Sequence, residues 1–271
     1  MSRRLLADFL SIGAGGEADI EIVTDASELK VTGGEIVLGR GTNVLASDRG
    51  TARRVIVMRN SCISVRDNFV YAGAGAALPA VVRAAAESGL TGLEWACGIP
   101  GSVGGGVIMN AGAYGGQLGD KLTRVEVLAD GDTVSVPARD LEFAYRNVSG
   151  LPRGVITAAE FCLKKGDVAK IYEKMRGYSE TRRANQPGGR TFGSAFAKAG
   201  GKSAGWYIEQ AGLKGRRVGG AKISEKHANF IINDGGATAT DVRTLLDVAK
   251  LTVYAKFGVR LAEEVRYVGE F

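Results

Sequence analysis

The sequence predicts a fold that mixes helices and strands in an N-terminal and a C-terminal part, since both kinds of pattern occur and breakers follow residue 186. The chain has 271 residues, of which 45% are hydrophobic and 24% are charged, a balance typical of globular proteins. A chain of this length can form one large domain or two to three smaller ones. It is also long enough to bury a substantial core without disulfides.

In the N-terminal part, short strands accompany an amphipathic helix. The predicted helix Leu78–Ser88 has Pro79 in its first turn and Gly89 after its end. The Asp-Gly pair within Val125–Val136 favours a hairpin with a type I′ turn. The other elements predicted here are a short strand that runs into a glycine turn over Glu35–Leu45, the strands Arg54–Met58 and Val155–Lys164, and the charged helix Val168–Arg183.

The C-terminal part begins after the breakers around Pro187. Alternation predicts a last strand, Val259–Val268, in which adjacent Glu263 and Glu264 point to opposite faces. The other predicted elements are helix Ala204–Gln210 with Ser203 as its N-cap, strand Phe230–Asn233, and amphipathic helix Asp241–Lys256 ended by Gly258.

Charge and cysteine usage limit the function classes. The formal net charge is +6, which favours anionic partners, and the absence of a basic tail or an aromatic-basic run favours phosphorylated small molecules over nucleic acid. With one histidine and three scattered cysteines, the sequence predicts no metal site and no disulfide framework. We expect a reducing cytoplasm, and no apolar run is long enough to predict a membrane span.

Two glycine-rich stretches are the main functional signal. Ala96–Gly116 contains eight glycines and no charged side chain, and Gly39–Asn43 follows a predicted strand. Glycine permits positive φ and lets a ligand approach the backbone. Neither stretch completes a P-loop or a dinucleotide fingerprint. Both could be tight turns between packed strands, although the glycine density of the longer stretch favours a wall against a large ligand.

These stretches, GRGTNVL and GIPGSVGGGVIMNAGAYG, resemble the flavin-binding region of the UDP-N-acetylenolpyruvoylglucosamine reductase family. Further motifs of that family follow in the same order. They are Phe143–Asn147 (FAYRN), Thr191–Phe196 (TFGSAF), Gly212–Gly215 (GLKG), Ser224–Asn233 (SEKHANFIIN) and Gly258–Val265 (GVRLAEEV). The resemblance as a whole spans about Ile12 to Gly269.

The resemblance implies a two-subdomain FAD-binding fold of the vanillyl-alcohol-oxidase type, followed by a C-terminal α+β substrate domain. The implied boundaries are 1–60, 61–184 and 185–271. It also implies non-covalent FAD, NADPH as hydride donor and a cytoplasmic role in peptidoglycan precursor synthesis. The chain is short, as in the family's short form. We also expect a monomer. The implied cofactor contacts are Gly39, Arg40, Gly41, Thr42, Asn43, Val44, Gly98, Ile99, Gly101, Ser102, Gly104, Gly105, Asn110, Gly112, Ala113 and Ile156.

In that family, NADPH reduces the flavin, and the enolpyruvyl ether of UDP-N-acetylglucosamine then takes the hydride at C3 and a proton at C2. Arg146 matches the residue that holds the substrate carboxylate, Ser194 the proton donor, and Glu264 the carboxylic acid on the far side of the reacting carbons. Periodicity alone would select Glu263, whose apolar neighbours would raise its pKa. The motif selects Glu264, because the family's acid immediately precedes the valine.

The implied substrate contacts are Tyr145, Gly193, Lys198, Lys214, His227 and Asn229. The serine motif departs from the family's GSxFKNP, because here it reads GSAFAKA and Lys198 stands one position late. Two alternatives stay open from the sequence: another flavoenzyme of the same fold that oxidises an alcohol or sugar, and a non-catalytic nucleotide-binding protein. Each of the three catalytic candidates could also be an ordinary solvent-facing or turn residue.

Overall fold

The computed structural model describes residues 2–271 and contains twenty short strands and five α-helices in that range. The strands are β1 (Ser2–Leu5), β2 (Glu17–Val23), β3 (Ile36–Leu38), β4 (Val44–Ala46), β5 (Val55–Met58), β6 (Ile63–Arg66), β7 (Phe69–Gly73), β8 (Leu90–Thr91), β9 (Gly112–Ala113), β10 (Gly116–Gln117), β11 (Leu122–Ala129), β12 (Asp132–Pro137), β13 (Glu142–Ala144), β14 (Asn147–Ser149), β15 (Val155–Cys162), β16 (Lys164–Lys165), β17 (Arg217–Val218), β18 (Ala221–Ile223), β19 (Ile231–Asn233) and β20 (Arg266–Val268). The helices are α1 (Leu78–Glu87), α2 (Val103–Ile108), α3 (Val168–Asn185), α4 (Ala204–Gln210) and α5 (Ala239–Phe257).

The chain forms two compact units, each assembled from separate segments. The central unit consists of Glu21–Arg40 and Val55–Arg182. The terminal unit consists of the described residues up to Ile20, Gly41–Arg54 and Arg183–Phe271. The three-domain division predicted from the sequence follows chain order instead, and it stays a prediction.

The central unit contains an antiparallel sheet of five strands in the order β12-β11-β15-β7-β6. Its core includes Val70, Val125 and Phe161 from these strands, all at most 1% exposed. Helix α1 adds its apolar stripe to this core, with Val81, Val82, Ala85 and Ala86 buried. The predicted hairpin is confirmed: β11 and β12 pair, and Asp130 and Gly131 have φ values of 51° and 90°, as a type I′ turn requires.

The same unit holds a parallel pair of strands, β3 and β5, in which Leu38 lies opposite Val57. Gly39 and Arg40 follow β3, and Arg59 follows β5. Because the strands run in the same direction, their carboxyl ends and the residues that follow them lie at one edge of the pair.

The terminal unit is built on helix α5 and the antiparallel strands β17-β18-β19. Thr238 and Asp241 form a capping box at the start of α5, and Gly258 ends the helix with a left-handed φ of 67°. The buried face of α5 includes Val242, Leu245 and Val253, as its periodicity predicted. In this unit β20 pairs in parallel with β4, so that Arg266 lies opposite Val44.

The predicted strand Val259–Val268 is wrong over most of its length, because only Arg266–Val268 forms a strand. The three residues of β20 pair with β4, which is itself only three residues long. Upstream, Ala262 and Glu264 hydrogen-bond to the main chain of Ala197 and Ala195 rather than to a ladder. The alternating pattern therefore reflects an extended backbone with one isolated bridge, between Phe196 and Glu263.

The other predicted helices agree with the structure to within a few residues at their ends. Ser203 caps α4 as predicted, since its side chain accepts a hydrogen bond from the Trp206 N–H. In the described part of the chain, no helix combines the length and the hydropathy that a membrane span needs.

Candidate active site

The two glycine-rich stretches touch each other within the central unit. A Cβ atom added to Gly39 would overlap the Ser102 hydroxyl, so the backbone after β3 lies directly against the start of α2. Ser102 caps that short helix by accepting a hydrogen bond from the Gly105 N–H at 3.4 Å. Glycine is required here because a side chain at position 39 would separate the two segments.

The longer stretch is fixed by main-chain hydrogen bonds to the turn before α1. The N–H groups of Val103 and Gly104 donate to the carbonyls of Ala76 and Ala74, both at 2.9 Å. A Cβ on Gly104 would lie 3.0 Å from the Cβ of Ala74. Gly105 is exposed, and Gly101 is half-buried. The stretch therefore presents uncharged main chain on a rigid support.

Asn110 connects this stretch to the hairpin that carries Arg146. Its side chain donates to Gln117 Oε1 at 2.9 Å and to the Ala144 carbonyl at 3.1 Å. It also accepts a hydrogen bond from the Gly119 N–H at 3.1 Å. Both N–H donors of the buried amide are therefore used by the protein, and they hold the end of β13 against the glycine-rich stretch.

Arg146 lies at the tip of the β13–β14 hairpin, where Ala144 pairs with Asn147. Its φ of 55° is uncommon for a residue with a side chain and closes the two-residue turn between β13 and β14. The guanidinium Nη1 donates to the Gly112 carbonyl at 3.4 Å, and Cζ lies 5.0 Å from the centre of the Tyr145 ring, which is 59% exposed. The predicted carboxylate-binding residue is therefore beside the predicted flavin stretch.

The remaining cofactor candidates of the central unit are less directly connected. A Cβ on Gly98 would lie 2.7 Å from Cδ of Arg182, so the absence of a side chain leaves room for that half-buried arginine. Ile99 and Ala113 are half-buried, and Ile156 is a buried residue of β15 opposite Val127.

In the terminal unit, Ser194 lies on a segment held between two others. The Ala195 N–H donates to the Asn229 carbonyl at 2.8 Å, and the Glu264 N–H donates to the Ala195 carbonyl at 2.9 Å. The candidate proton donor and the candidate acid are therefore on adjacent, hydrogen-bonded segments. Gly193 has a φ of 87° with open space around its Cβ position, so its conformation, rather than crowding, requires glycine.

Two asparagines brace these segments. The side chain of Asn229 accepts from the Phe196 N–H at 3.0 Å and donates to the Phe196 carbonyl at 2.8 Å. The side chain of Asn43 donates to the Glu264 carbonyl at 2.9 Å, and the Arg266 N–H donates to the Asn43 carbonyl at the same distance. Asn43, the last residue of the GRGTN motif, is therefore attached to the segment of the candidate acid within the terminal unit.

Ser11, which the sequence analysis did not identify, joins two further motifs of this unit. Its hydroxyl lies 3.2 Å from the Gly41 carbonyl and 2.7 Å from the Thr191 carbonyl. Gly41 has a φ of 62°, and a Cβ there would overlap the Phe9 carbonyl. Thr42 and Val44, which flank Asn43, are half-buried.

Glu263 and Glu264 have different surroundings. Glu263 accepts a hydrogen bond from the Tyr267 hydroxyl at 2.6 Å and lies 2.6 Å from Nζ of Lys250. Burial and this carboxylate raise the pKa of Tyr267 above its ordinary value. Glu263 thus belongs to a structural cluster with α5, whereas the backbone of Glu264 is bonded to the Ser194 segment.

Three of the predicted substrate contacts in the terminal unit, Lys214, His227 and Asn229, lie close together. Burial lowers the pKa of His227, and the nearby Lys214 ammonium lowers it further. Lys214 pairs with Glu209 at 2.7 Å. The Nδ1 atom of His227 accepts from the Asn229 N–H at 3.2 Å. Lys198 is exposed and lies outside this cluster of contacts.

Comparisons with known proteins agree with this arrangement. A family model described as "FAD binding domain" matches residues 20–136, and one described as "UDP-N-acetylenolpyruvoylglucosamine reductase, C-terminal domain" matches residues 185–268. The UDP-N-acetylenolpyruvoylglucosamine reductases of Caldicellulosiruptor bescii and Pediococcus pentosaceus are 43% and 39% identical to the chain, over 98% of the chain in each case and 90% and 93% of those proteins. The chain belongs to the UDP-N-acetylenolpyruvoylglucosamine reductase family.

A solved reductase structure, from Thermus caldophilus, matches with a TM-score of 0.88 at 37% identity and covers 99% of this chain and 98% of that one. The match confirms the predicted fold class, an FAD-binding part followed by a C-terminal α+β domain. The family assignment agrees with the motifs that the sequence analysis recognised.

The residues present fit FAD in this reductase family. Gly39 and Ser102 form a tight, side-chain-free contact, and the adjoining stretch exposes uncharged backbone. Arg40 and Arg59 supply positive charge next to it, which suits the diphosphate of a dinucleotide. Arg59 was not identified from the sequence, although an arginine directly after a predicted strand could have suggested it.

Proposed function

We propose that the chain reduces UDP-N-acetylglucosamine enolpyruvate to UDP-N-acetylmuramate with NADPH and FAD. The observation that carries the proposal is the hydrogen bond of 2.9 Å between the Glu264 N–H and the Ala195 carbonyl. It holds the candidate acid beside the segment of the candidate proton donor, as the chemistry of an enolpyruvyl reductase needs. Bound FAD would accept a hydride from NADPH and deliver it to the substrate.

Ser194 is proposed to donate the proton to C2 of the substrate. A serine hydroxyl is a weak acid and must be oriented and stabilised by its surroundings to act in this way. The main-chain hydrogen bonds of Ala195 to Asn229 and Glu264 support this role, because they hold the segment that carries Ser194 in place.

Arg146 is proposed to hold the substrate carboxylate and the negative charge that develops on it. The guanidinium matches a carboxylate with two parallel hydrogen bonds and stays protonated. The hydrogen bond from its guanidinium to the Gly112 carbonyl supports this role, because it lies beside the glycine-rich stretch.

Glu264, rather than Glu263, is proposed as the carboxylic acid on the other side of the reacting carbons. Glu263 is engaged by Lys250 and Tyr267. These contacts commit Glu263 to a structural cluster with α5 and β20, which supports Glu264 as the acid.

The uridine diphosphate part of the substrate is proposed to contact Lys214, His227 and Asn229, with Tyr145, Gly193 and Lys198 as further contacts. Lys214 brings a positive charge near His227, and the lowered pKa of His227 keeps the imidazole neutral at neutral pH. A neutral imidazole can hydrogen-bond a uridine or a phosphate without needing a counter-ion.

The alternative reading as an oxidase of alcohols or sugars predicts a different second half-reaction. The test is anaerobic stopped-flow measurement of flavin absorbance. NADPH should bleach the flavin, and the enolpyruvyl substrate should restore the absorbance without oxygen. The proposed reaction would be refuted if oxygen, but not the enolpyruvyl substrate, restored the flavin absorbance. It would also be refuted if an alcohol or sugar bleached the flavin.

We further propose that the chain acts as a cytoplasmic monomer in peptidoglycan synthesis, and so affects cell shape and division. The free thiols of Cys62, Cys97 and Cys162 support a reducing compartment. The substrates are small molecules, and the reaction needs no protein partner. Light scattering of the purified protein would test the monomer: a mass near 28.3 kDa is expected, and twice that mass would refute it.

A further inference from the structure

Two arginines follow the carboxyl ends of the parallel strands β3 and β5. Leu38 pairs with Val57 in this ladder. Arg40 lies two residues beyond β3, and Arg59 lies directly beyond β5. In open α/β sheets, ligands bind outside the carboxyl ends of parallel strands, and β3 and β5 are the parallel pair of a mixed sheet. The edge of the β3–β5 pair therefore carries two positive charges where a ligand is expected.

The Arg59 side chain is fixed, and part of it remains available. Its Nη1 atom donates to the Gly39 carbonyl at 2.7 Å and to the Met58 carbonyl at 2.9 Å. A guanidinium has five N–H donors. Nε and Nη2 of Arg59 donate to no acceptor among the described residues.

The two arginines repel each other without a compensating carboxylate. Burial lowers the pKa of Arg59, and the like charge of Arg40 lowers it further. Within residues 2–271, neither arginine forms an ion pair. A half-buried cation that has only another cation as its charged neighbour is stabilised when an anion binds.

The backbone next to these charges is free of side chains. Gly39 packs against the Ser102 hydroxyl with no room for a Cβ, and the Arg59 main chain lies so close to Gly75 that a Cβ there would be 2.6 Å from the Arg59 Cα. An anion at this edge would therefore meet two guanidinium groups and bare backbone.

We propose that Arg59, together with Arg40, binds the diphosphate of the flavin dinucleotide. The assignment of FAD as cofactor rests on the proposed function, whereas the role of Arg59 rests on the contacts above. Planar guanidinium groups match phosphate oxygens through parallel hydrogen bonds. Arg59 also fixes the Gly39 carbonyl, so that one side chain shapes the loop and supplies charge.

The test compares flavins that differ in their phosphates. Full-length protein stripped of flavin is titrated with FAD and with riboflavin, and binding is followed by flavin fluorescence. Arg59→Gln is expected to weaken FAD binding at least about tenfold and riboflavin binding less than about twofold, because one charge-assisted contact is lost. Arg83→Gln, an equal charge change on the exposed face of α1, should leave both affinities unchanged.

Equal weakening of FAD and riboflavin by Arg59→Gln would overturn the proposal and leave Arg59 as a brace of the Gly39 carbonyl. The proposal would also be overturned if FAD affinity were unchanged and more NADPH were needed to bleach the flavin. The anion at this edge would then belong to the nicotinamide dinucleotide. If Arg59→Gln does not fold, Arg59→Lys must still weaken FAD more than riboflavin. Failure of the enolpyruvyl substrate to reoxidise the flavin would refute the proposed reaction and leave these affinities as evidence for the diphosphate site.

Discussion

The Arg146 hairpin of the central unit and the Ser194 segment of the terminal unit hold their candidate catalytic side chains in different ways. Arg146 lies on a regular hairpin, and its own backbone has a positive φ of 55°. Ser194 and Glu264 lie on irregular segments that are held by the side chains of other residues, above all Asn43 and Asn229. Orientation therefore comes from local backbone geometry in one unit and from distant side chains in the other.

This difference has a practical consequence. Substitution of a catalytic candidate, in either unit, should change the rate of the reaction. Substitution of a bracing residue should disturb the terminal unit, because its segments have few ladder hydrogen bonds of their own.

The largest effect is expected for Ser194→Ala. Loss of a general acid slows a reaction by about 10²–10⁴-fold. We expect this loss in anaerobic reoxidation by the substrate, while bleaching by NADPH stays near the wild-type rate. Equal slowing of both half-reactions would instead indicate a displaced flavin and would remove Ser194 from the proton transfer.

Glu264→Gln and Glu263→Gln form a matched pair that separates chemistry from bracing. Glu264→Gln keeps the shape and removes the proton, and should slow reoxidation by about 10²-fold or more. Glu263→Gln should leave reoxidation within a few fold and lower the unfolding free energy, because it breaks the pair with Lys250. The reverse pattern would show that the catalytic acid is one residue earlier.

Arg146→Lys keeps the charge and loses the planar pair of donors, so reoxidation should slow by about 10-fold or more. Arg146→Gly removes the function but also relieves the positive φ, and its unfolding free energy should stay within about 1 kcal/mol of wild type. Urea unfolding measures the second effect. Wild-type reoxidation in the lysine variant would show that no planar contact is made.

Asn229→Ala removes both hydrogen bonds to the Phe196 main chain and leaves a buried N–H unpaired. The expected loss of unfolding free energy is about 1–3 kcal/mol. Asn68→Ala, at an exposed position, is the control and should cost less than about 0.5 kcal/mol. If Asn229→Ala and Asn68→Ala had the same unfolding free energy, the side chain of Asn229 would not brace the terminal unit.

The smallest effect concerns pH. The pKa of His227 is lowered from its ordinary value of 6.5, mainly by burial. The unfolded chain therefore binds a proton more readily, and this contribution to stability is present above pH 6.5 and is lost as the pH falls through the folded-state pKa. Unfolding measured from neutral to mildly acidic pH should show a smaller decline in His227→Gln than in wild type. An identical decline would mean that the pKa of His227 is the same in the folded and the unfolded chain.

The sequence predicted those features whose signals are local. The apolar stripe of α1, the cap of α4 and the Asp-Gly turn of the β11–β12 hairpin each depend on a few neighbouring residues. The last strand was mispredicted because alternation reports an extended backbone, whereas a strand also needs a partner, which only Arg266–Val268 finds.

Family motifs identified the candidate catalytic residues, but not what holds them. Ser11 reaches the Thr191 carbonyl 180 residues along the chain, and no local pattern distinguishes such a serine. The two hydrogen bonds of Asn229 to Phe196 depend likewise on how separate segments meet. The roles of these residues could be found only from coordinates.

The hydrogen bond between Asn43 and Glu264 joins residues 221 positions apart. On the ribosome, every segment of the central unit is synthesised before residue 183, whereas the terminal unit needs the last strand to emerge. We expect the central unit to acquire its structure first, and the acid-bearing segment to dock once β20 has also been synthesised. A nascent chain that stalls soon after residue 183 would therefore present a folded central unit, and its incomplete terminal unit would lack the Glu264 carbonyl that Asn43 binds.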